Sequence, residues 1–149
     1  MIYNKERHKQ LVRLSQDLKN QGKSLFREDQ EKDSELCKYN IEVEEQVFWS
    51  YRENFVLIMQ NLRDTILDFD QFETTFSLLY NKVRKEAEMF KIDLEQINKF
   101  QPSTRSYRFA IVMCSIYRQF EEIEDEYCTE QEAKEYVKEC YLEFQKFEE

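Results

Sequence analysis

The sequence predicts an all-α protein, an antiparallel bundle of about four main helices with an additional helical segment at the N-terminus. Its 149 residues include a single glycine and a single proline. Turns with a positive φ and β-hairpins depend on glycine, asparagine and aspartate, so a multi-stranded fold would need more glycines. Glutamate, lysine, glutamine, leucine and arginine are abundant instead, and these residues lose little rotamer freedom in a helix.

The N-terminal segment, residues 1–38, differs in pattern from the rest of the chain. Residues 3–20 predict a helix with a narrow stripe of leucines, and Gly22 follows its end, where glycine is the preferred residue. Residues 27–38 are dense in charge and predict a poorly packed helix or a linker. With so little apolar surface, residues 1–38 are expected to be mobile or docked separately. Residues 39–149 are expected to form the acidic helical-bundle domain.

Four strong helices are expected in the bundle domain, over residues 41–67, 71–90, 104–122 and 130–146. In each of them apolar residues recur at three- and four-residue steps, as on the buried face of an amphipathic helix. Capping boxes are expected at two helix starts, one from Asp70 to Glu73 and one from Thr129 to Glu132. Short connections between long helices favour antiparallel neighbours. No internal repeat is visible in the residues themselves.

The net charge of −9 is unevenly distributed along the chain. Residues 1–27 carry seven basic and two acidic side chains, whereas residues 28–149 carry 15 basic and 29 acidic ones. An acidic body repels phosphate backbones, so direct nucleic-acid binding is not expected and a basic protein is the better partner.

The densest acidic stretch, residues 121–132, holds seven acids and no base. Acids are favoured in the first turn of a helix, so a solvated loop followed by a helix start explains part of this pattern. Concentrated like charge also costs self-repulsion, which a basic protein partner would relieve. The candidate partner-binding acids are Glu121, Glu122, Glu124, Asp125, Glu126, Glu130 and Glu132.

Two residues that occur once in the chain bear on function. Trp49 lies about 100° around its helix from Phe48, so it either packs in the core or anchors a partner, as exposed aromatic residues often do. His8 stands between Arg7 and Lys9, which predicts an exposed, solvated side chain. Catalytic triads need a sheltered, oriented histidine, and phosphate-binding loops need several glycines. The protein is therefore not expected to be an enzyme.

The sequence predicts neither a metal site nor a bound cofactor. Its cysteines are not spaced as zinc ligands and are expected to be reduced: Cys37, Cys114, Cys128 and Cys140. Residues 121–132 lack the alternating oxygen ligands and the central glycine of a calcium loop. No apolar run approaches the roughly 20 residues of a membrane span, and residues 1–27 lack the apolar stretch of a signal peptide. A cytoplasmic protein is expected, or one of the plastid stroma if the gene is plastid-encoded.

A set of spaced positions in residues 66–145 is similar to a known family. These positions are Ile66-Leu67-x-Phe69-Asp70-x-Phe72-Glu73-x-x-Phe76-x-x-Leu79-Tyr80, Phe100-Gln101-Pro102, Ser115-Ile116-Tyr117, Asp125-Glu126 and Thr129-Glu130-x-Glu132-x-x-x-x-Val137. The pattern resembles the colicin D immunity-like proteins, small acidic helical bundles that neutralise bacterial tRNA-cleaving toxins. The resemblance implies an acidic surface that occupies the basic cleft of such a toxin. The alternative function is a structural or adaptor subunit of a larger protein assembly.

Overall fold

The computed structural model describes residues 3–94 and 103–145. Those residues form seven α-helices and no β-strand, which confirms the all-α class. The helices are α1 (Lys5–Asn20), α2 (Leu25–Glu28), α3 (Gln30–Ser50), α4 (Arg52–Arg63), α5 (Phe69–Ile92), α6 (Thr104–Glu124) and α7 (Glu130–Phe144). Within the described part of the chain, no helix is long and apolar enough to cross a membrane.

The single helix that was expected over residues 41–67 is two helices, α3 and α4, which meet at Tyr51. Tyr51 leaves the helical region with φ −101° and ψ 11°. The Ser50 hydroxyl donates a hydrogen bond of 2.6 Å to the carbonyl of Val47, a local bond that competes with regular helix geometry. The Tyr51 hydroxyl donates to the carboxylate of Glu86 on α5, which ties the bend to a neighbouring helix. Sequence periodicity alone did not distinguish a bent helix from a straight one.

One large hydrophobic core joins α3, α4, α5, α6 and α7. Aromatic rings make up much of it, and the rings of Phe55 and Phe76 lie 5.2 Å apart. Tyr80 and Tyr117 stack in parallel at 4.1 Å. A fully buried Phe side chain contributes about 1.5–3 kcal/mol through burial alone, so these rings account for much of the stability of the fold.

Two contacts show how the last three helices run relative to one another. Phe109 near the start of α6 packs edge-on against Phe144 at the end of α7, with centroids 5.1 Å apart. Phe69 at the start of α5 contacts Phe120 near the end of α6 at 6.0 Å. Both neighbouring pairs therefore run in opposite directions.

A second, smaller core joins α1 and α2 to the first half of α3 through Leu11, Leu25, Leu36 and Tyr39. Arg7 on α1 forms a bidentate ion pair with Glu35 on α3, with hydrogen bonds of 2.8 and 2.9 Å. The boundary expected at residues 38 and 39 falls inside α3, which contributes to both cores. The mobility of the N-terminal segment stays a prediction.

His8 is fully buried at the edge of the smaller core, so the expectation of an exposed histidine was wrong. Its Nδ1 lies 2.8 Å from the Tyr3 hydroxyl and its Nε2 lies 2.8 Å from the Asn40 amide oxygen. An amide oxygen can only accept, so Nε2 carries the hydrogen and Nδ1 accepts from Tyr3. The ring also stacks on Tyr39 at 5.4 Å. Burial lowers the pKa of His8, and the hydrogen bond to Asn40 opposes that shift.

The turns between α4 and α5 and between α6 and α7 share one backbone geometry. Thr65 and Glu126 adopt the left-handed region, with φ of 59° and 64°. The amide of the next residue then reaches back five positions, from Ile66 to the carbonyl of Asn61 (2.9 Å) and from Tyr127 to Glu122 (2.8 Å). This is the Schellman arrangement of a helix C-terminus. Although the residues show no internal repeat, the turn geometry does repeat.

Candidate functional site: the acidic end

The two Schellman turns lie at the same end of the molecule, because the start of α5 packs against the end of α6. We call this region the acidic end. It comprises nine carboxylate residues from three helices and one turn, which are Asp70, Glu73, Glu121, Glu122, Glu124, Asp125, Glu126, Glu130 and Glu132. Seven of these residues are the predicted partner-binding acids, and the structure brings them together with two acids of α5.

Glu73 shows that the acids of the different helices face one another. Its side chain is half-buried. Burial raises the pKa of Glu73 above its usual range, and the negative charges of Asp70, Glu124 and Glu130 raise it further. Each of these three acids therefore lies close enough to disfavour a charge on Glu73. Carboxylates from α5, α6 and α7 thus share one local field.

Asp70 and Glu73 do not form the capping box that was expected at the start of α5. Their carboxylates therefore contribute to the negative field. The cap is Asp68, which accepts a hydrogen bond of 2.8 Å from the amide of Gln71, and the Gln71 side chain accepts from the Asp68 amide at 3.0 Å. Asp68 was missed because Asp70 and Glu73 also fit the capping pattern, two residues further along. The second cap was predicted at the right residue, since Thr129 accepts from the amide of Glu132 at 3.1 Å.

Most of the predicted acids are open to solvent, and only Glu122 is partly buried. The expectation that the segment has no counter-charge needs one correction. Lys134, one turn into α7, lies 3.4 Å from the carboxylate of Glu130. An exposed ion pair at this spacing on a helix contributes only about 0.3–0.5 kcal/mol, so it offsets little of the repulsion. The acidic end remains strongly negative.

Two apolar side chains project from the tips of the turns. Tyr127 is 84% exposed and Ile66 is 67% exposed. Each occupies the same position of its Schellman turn, directly after the left-handed residue. An apolar residue at this position often packs back on the preceding helix, but these two face the solvent. They add apolar contact area to a surface that is otherwise negative.

Trp49, the remaining candidate, lies away from the acidic end. Its ring packs edge-on against Phe109 at 5.8 Å, and the guanidinium of Arg52 lies 4.7 Å from the ring centroid. Phe109 and Glu121 are separated by twelve residues of α6, which corresponds to about 18 Å along the helix. Trp49 is half-buried, and its role as a partner anchor stays a prediction.

No protein-family model matches the chain, and comparisons with curated proteins and with solved structures gave no significant match. The similarity to the colicin D immunity-like family therefore stays a prediction. The functional argument depends on the geometry and charge of the residues described above.

Proposed function

We propose that the protein is a non-catalytic binding module whose acidic end engages a basic protein surface. The observation that carries this proposal is the convergence of carboxylates from three helices around Glu73, whose pKa is raised by burial and by its acidic neighbours. A cationic partner would relieve the repulsion between these groups and would be steered to them. The exposed Tyr127 and Ile66 would supply apolar contacts beside the charged ones.

The partner that fits best is a tRNA-cleaving toxin, which would make this chain an immunity protein. A nuclease that acts on tRNA presents a basic cleft to the RNA phosphates, and a compact acidic surface can fill such a cleft. Blocking would require only electrostatic complementarity and steric exclusion of the RNA. The resemblance of residues 66–145 to immunity proteins supports the same partner class.

The architecture we propose for this function is an antiparallel bundle of four members, with α3 and α4 together as one bent member. The opposite directions of α5, α6 and α7 support it. The helices α1 and α2 are the additional N-terminal segment. The proposed location is the cytoplasm, or the stroma of a plastid, where free thiols such as those of this chain persist.

We propose that the chain itself turns over no substrate. What supports this is the state of the single histidine, because both ring nitrogens of His8 are engaged in a buried hydrogen-bond chain. A general base must reach its substrate directly or through one water.

The alternative proposal is an adaptor subunit of a larger assembly. The separate small core of α1 and α2 on α3 supports it, together with the excess of basic residues in positions 1–27. An adaptor would hold two components at once, one on each oppositely charged region. An immunity protein would instead inhibit a nuclease.

The test of the proposed function is affinity capture with three forms of the chain as bait. One form is the wild type, one carries Lys at Glu121, Glu122, Glu124 and Asp125, and a control carries Lys at Asp17, Glu31, Glu53 and Glu139. The control changes the net charge equally at exposed positions outside the acidic end. We expect wild type and control to retain the same basic protein at low salt. The reversed bait should lose it, and association should slow with rising salt. Equal retention by all three baits would contradict the proposal.

The captured partner then separates the two functions. If the chain is an immunity protein, the partner cleaves tRNA and adding wild-type chain stops the cleavage at stoichiometric ratio. If it is an adaptor, the partner has no such activity, and truncation of residues 1–27 releases a second component from the complex.

A further inference from the structure

The buried ring of His8 joins α1 to α3. Its Nδ1 accepts a hydrogen bond of 2.8 Å from the Tyr3 hydroxyl, and its Nε2 donates one of 2.8 Å to the amide oxygen of Asn40. The ring also stacks on Tyr39 of α3 and is fully buried. All of these contacts suit the neutral ring, which has one donor and one acceptor.

Protonation would break this arrangement. The imidazolium ring has two donors and no acceptor, so Nδ1 could no longer accept from the Tyr3 hydroxyl. Burial lowers the pKa of His8 below its usual value, and the hydrogen bond to Asn40 only partly opposes this effect. No charged side chain of the described residues contributes to this pKa. The protonated ring would therefore be a buried charge without a counter-charge, which is costly.

The acidic groups nearest His8 on α3 are already engaged with other residues. Arg7 holds Glu35 in the bidentate ion pair, and this contact lowers the pKa of Glu35 below its usual range. Glu42 acts on Tyr3 instead, and burial together with this charge raises the pKa of Tyr3 to about 12. The other titratable or charged groups that the surrounding elements bring to this region are Lys5, Glu6 and Lys9 of α1, Arg27 and Glu28 of α2, Lys38 and Tyr39 of α3, Asp93 after α5, and the N-terminal amino group, which acts on Glu42.

The docking of α1 and α2 depends on few buried contacts. The smaller core has only four buried members, whereas every buried member of the large core lies at or after Val43. Segments with few buried contacts can open while the rest of a domain stays folded. A change at His8 can therefore alter the docking of α1 and α2 without unfolding the large core.

We propose that His8 is an acid-sensitive clasp, whose protonation loosens α1 and α2 from α3 while the large core stays folded. Because the docked state disfavours the protonated ring, docking is strongest above the usual histidine pKa of 6.5 and weakens as pH falls below it. One such group can shift the docking equilibrium by at most about thirtyfold at pH 5. Loosening exposes the apolar face of α3 around Leu36 and Tyr39. The clasp involves no residue of the acidic end, so it goes beyond the proposed function.

NMR of the wild-type chain between pH 7.5 and pH 5 tests the proposal directly. The ring signals of His8, the only histidine of the chain, report its protonation. Amide hydrogen exchange, corrected for the intrinsic effect of pH on exchange, reports the protection of Leu11 in α1 and of Val112 in α6. We expect the protection of Leu11 to fall at least fivefold over this range, whereas that of Val112 should not fall. Constant protection of Leu11 would overturn the proposal, whether or not the ring takes up a proton.

Two variants that cannot titrate at position 8 provide the controls. Glutamine offers one donor and one acceptor, as the neutral ring does, so His8→Gln should dock at pH 7.5 and keep its Leu11 protection at pH 5. His8→Phe keeps an aromatic ring against Tyr39 and replaces the first variant if that one does not dock. The same fall in the wild type and in a docked variant would overturn the proposal, because another group would then be responsible. Either failure would leave the acidic-end proposal untouched, because none of its residues is altered.

Discussion

Glu45 is a charged residue held on the inner side of α3, and its effect on stability depends on pH. Burial raises its pKa to about 7, and the neighbouring charges of Glu42 and Glu44 contribute. The folded state therefore prefers the neutral carboxyl. Below about pH 4.5 the group costs nothing, because it is protonated in both states. Between about pH 4.5 and pH 7 the unfolded chain loses this proton while the folded chain keeps it, so stability falls over this range and levels off above it.

We predict that Glu45→Gln stabilises the free protein by about 1–2 kcal/mol at pH 8. The expected effect is modest because Glu45 lines an open groove with Lys38 and Tyr107, where water screens the charge. At pH 5 the difference should shrink towards zero, since Gln and protonated Glu are similar. Urea unfolding of both proteins at the two pH values measures it. A variant that is less stable than the wild type at pH 8 would show that the Glu45 carboxylate has a favourable partner.

His8 shows what sequence reasoning misses at the scale of single residues. Its immediate neighbours, Arg7 and Lys9, are basic and suggested a solvated face, although both are half-buried in the structure. The partners that bury it, Tyr39 and Asn40, lie more than 30 residues away on α3. A lone histidine on a helix gives no local signal of such contacts. Burial of single polar residues depends on tertiary packing, so the sequence could not predict it.

The helices were the best predicted elements, because apolar periodicity and caps are local signals. The starts of α6 and α7 fall close to the predicted positions, at Thr104 and Glu130. The bend at Tyr51 was missed, since it depends on a hydrogen bond to Glu86 on another helix. Helix ends were also poorly predicted. The chain uses its one glycine after α1 and ends α4 and α6 with Thr65 and Glu126 in the left-handed region.

These two non-glycine residues lead to a prediction about the turns. A left-handed conformation costs an L-residue about 1–2 kcal/mol, and a β-branched residue such as Thr65 is especially rare there. Glycine adopts this conformation without strain but gains entropy in the unfolded chain. We therefore expect Thr65→Gly to stabilise the protein by about 0.5–1 kcal/mol, and Glu126→Gly by a similar amount or less.

Thermal unfolding of the two glycine variants measures this effect, with Thr74→Gly as the matched control. Thr74 is exposed within α5, where glycine should cost about 0.5–1 kcal/mol instead. If Thr65→Gly and Thr74→Gly lowered the melting temperature equally, the turn at Thr65 would not hold strain.

On the scale of the whole molecule, charge is concentrated where two turns and three helix ends meet. The sequence predicted the contribution of residues 121–132, because those acids are consecutive. It did not predict Asp70 and Glu73, which join the group through the packing of α5 against α6. The sequence also offered Trp49 as a candidate partner-binding residue, but in the structure Trp49 lies away from the acidic end. Convergence of distant residues depends on topology, and no local pattern encodes it.

This concentration of charge predicts that the free protein gains stability when the acidic end is partly neutralised. Glu124 is the best single position, because it is the last residue of α6 and one of the charges that raise the pKa of Glu73. A negative charge at a helix C-terminus is also unfavourable against the helix dipole.

Glu124→Lys should therefore stabilise the protein by about 0.5–1 kcal/mol in low salt, and less at about 1 M salt, where exposed charges are screened beyond about 3 Å. Glu53→Lys, in the first turn of α4, should have the opposite sign, because an acid is favoured there. Melting temperatures of the three proteins at both salt concentrations decide the matter. Residues that are selected to bind a partner often reduce the stability of the free protein. If Glu124→Lys destabilised the protein at low salt, the acids of this end would already have favourable contacts within the chain. The argument that a cationic partner relieves their repulsion would then be wrong.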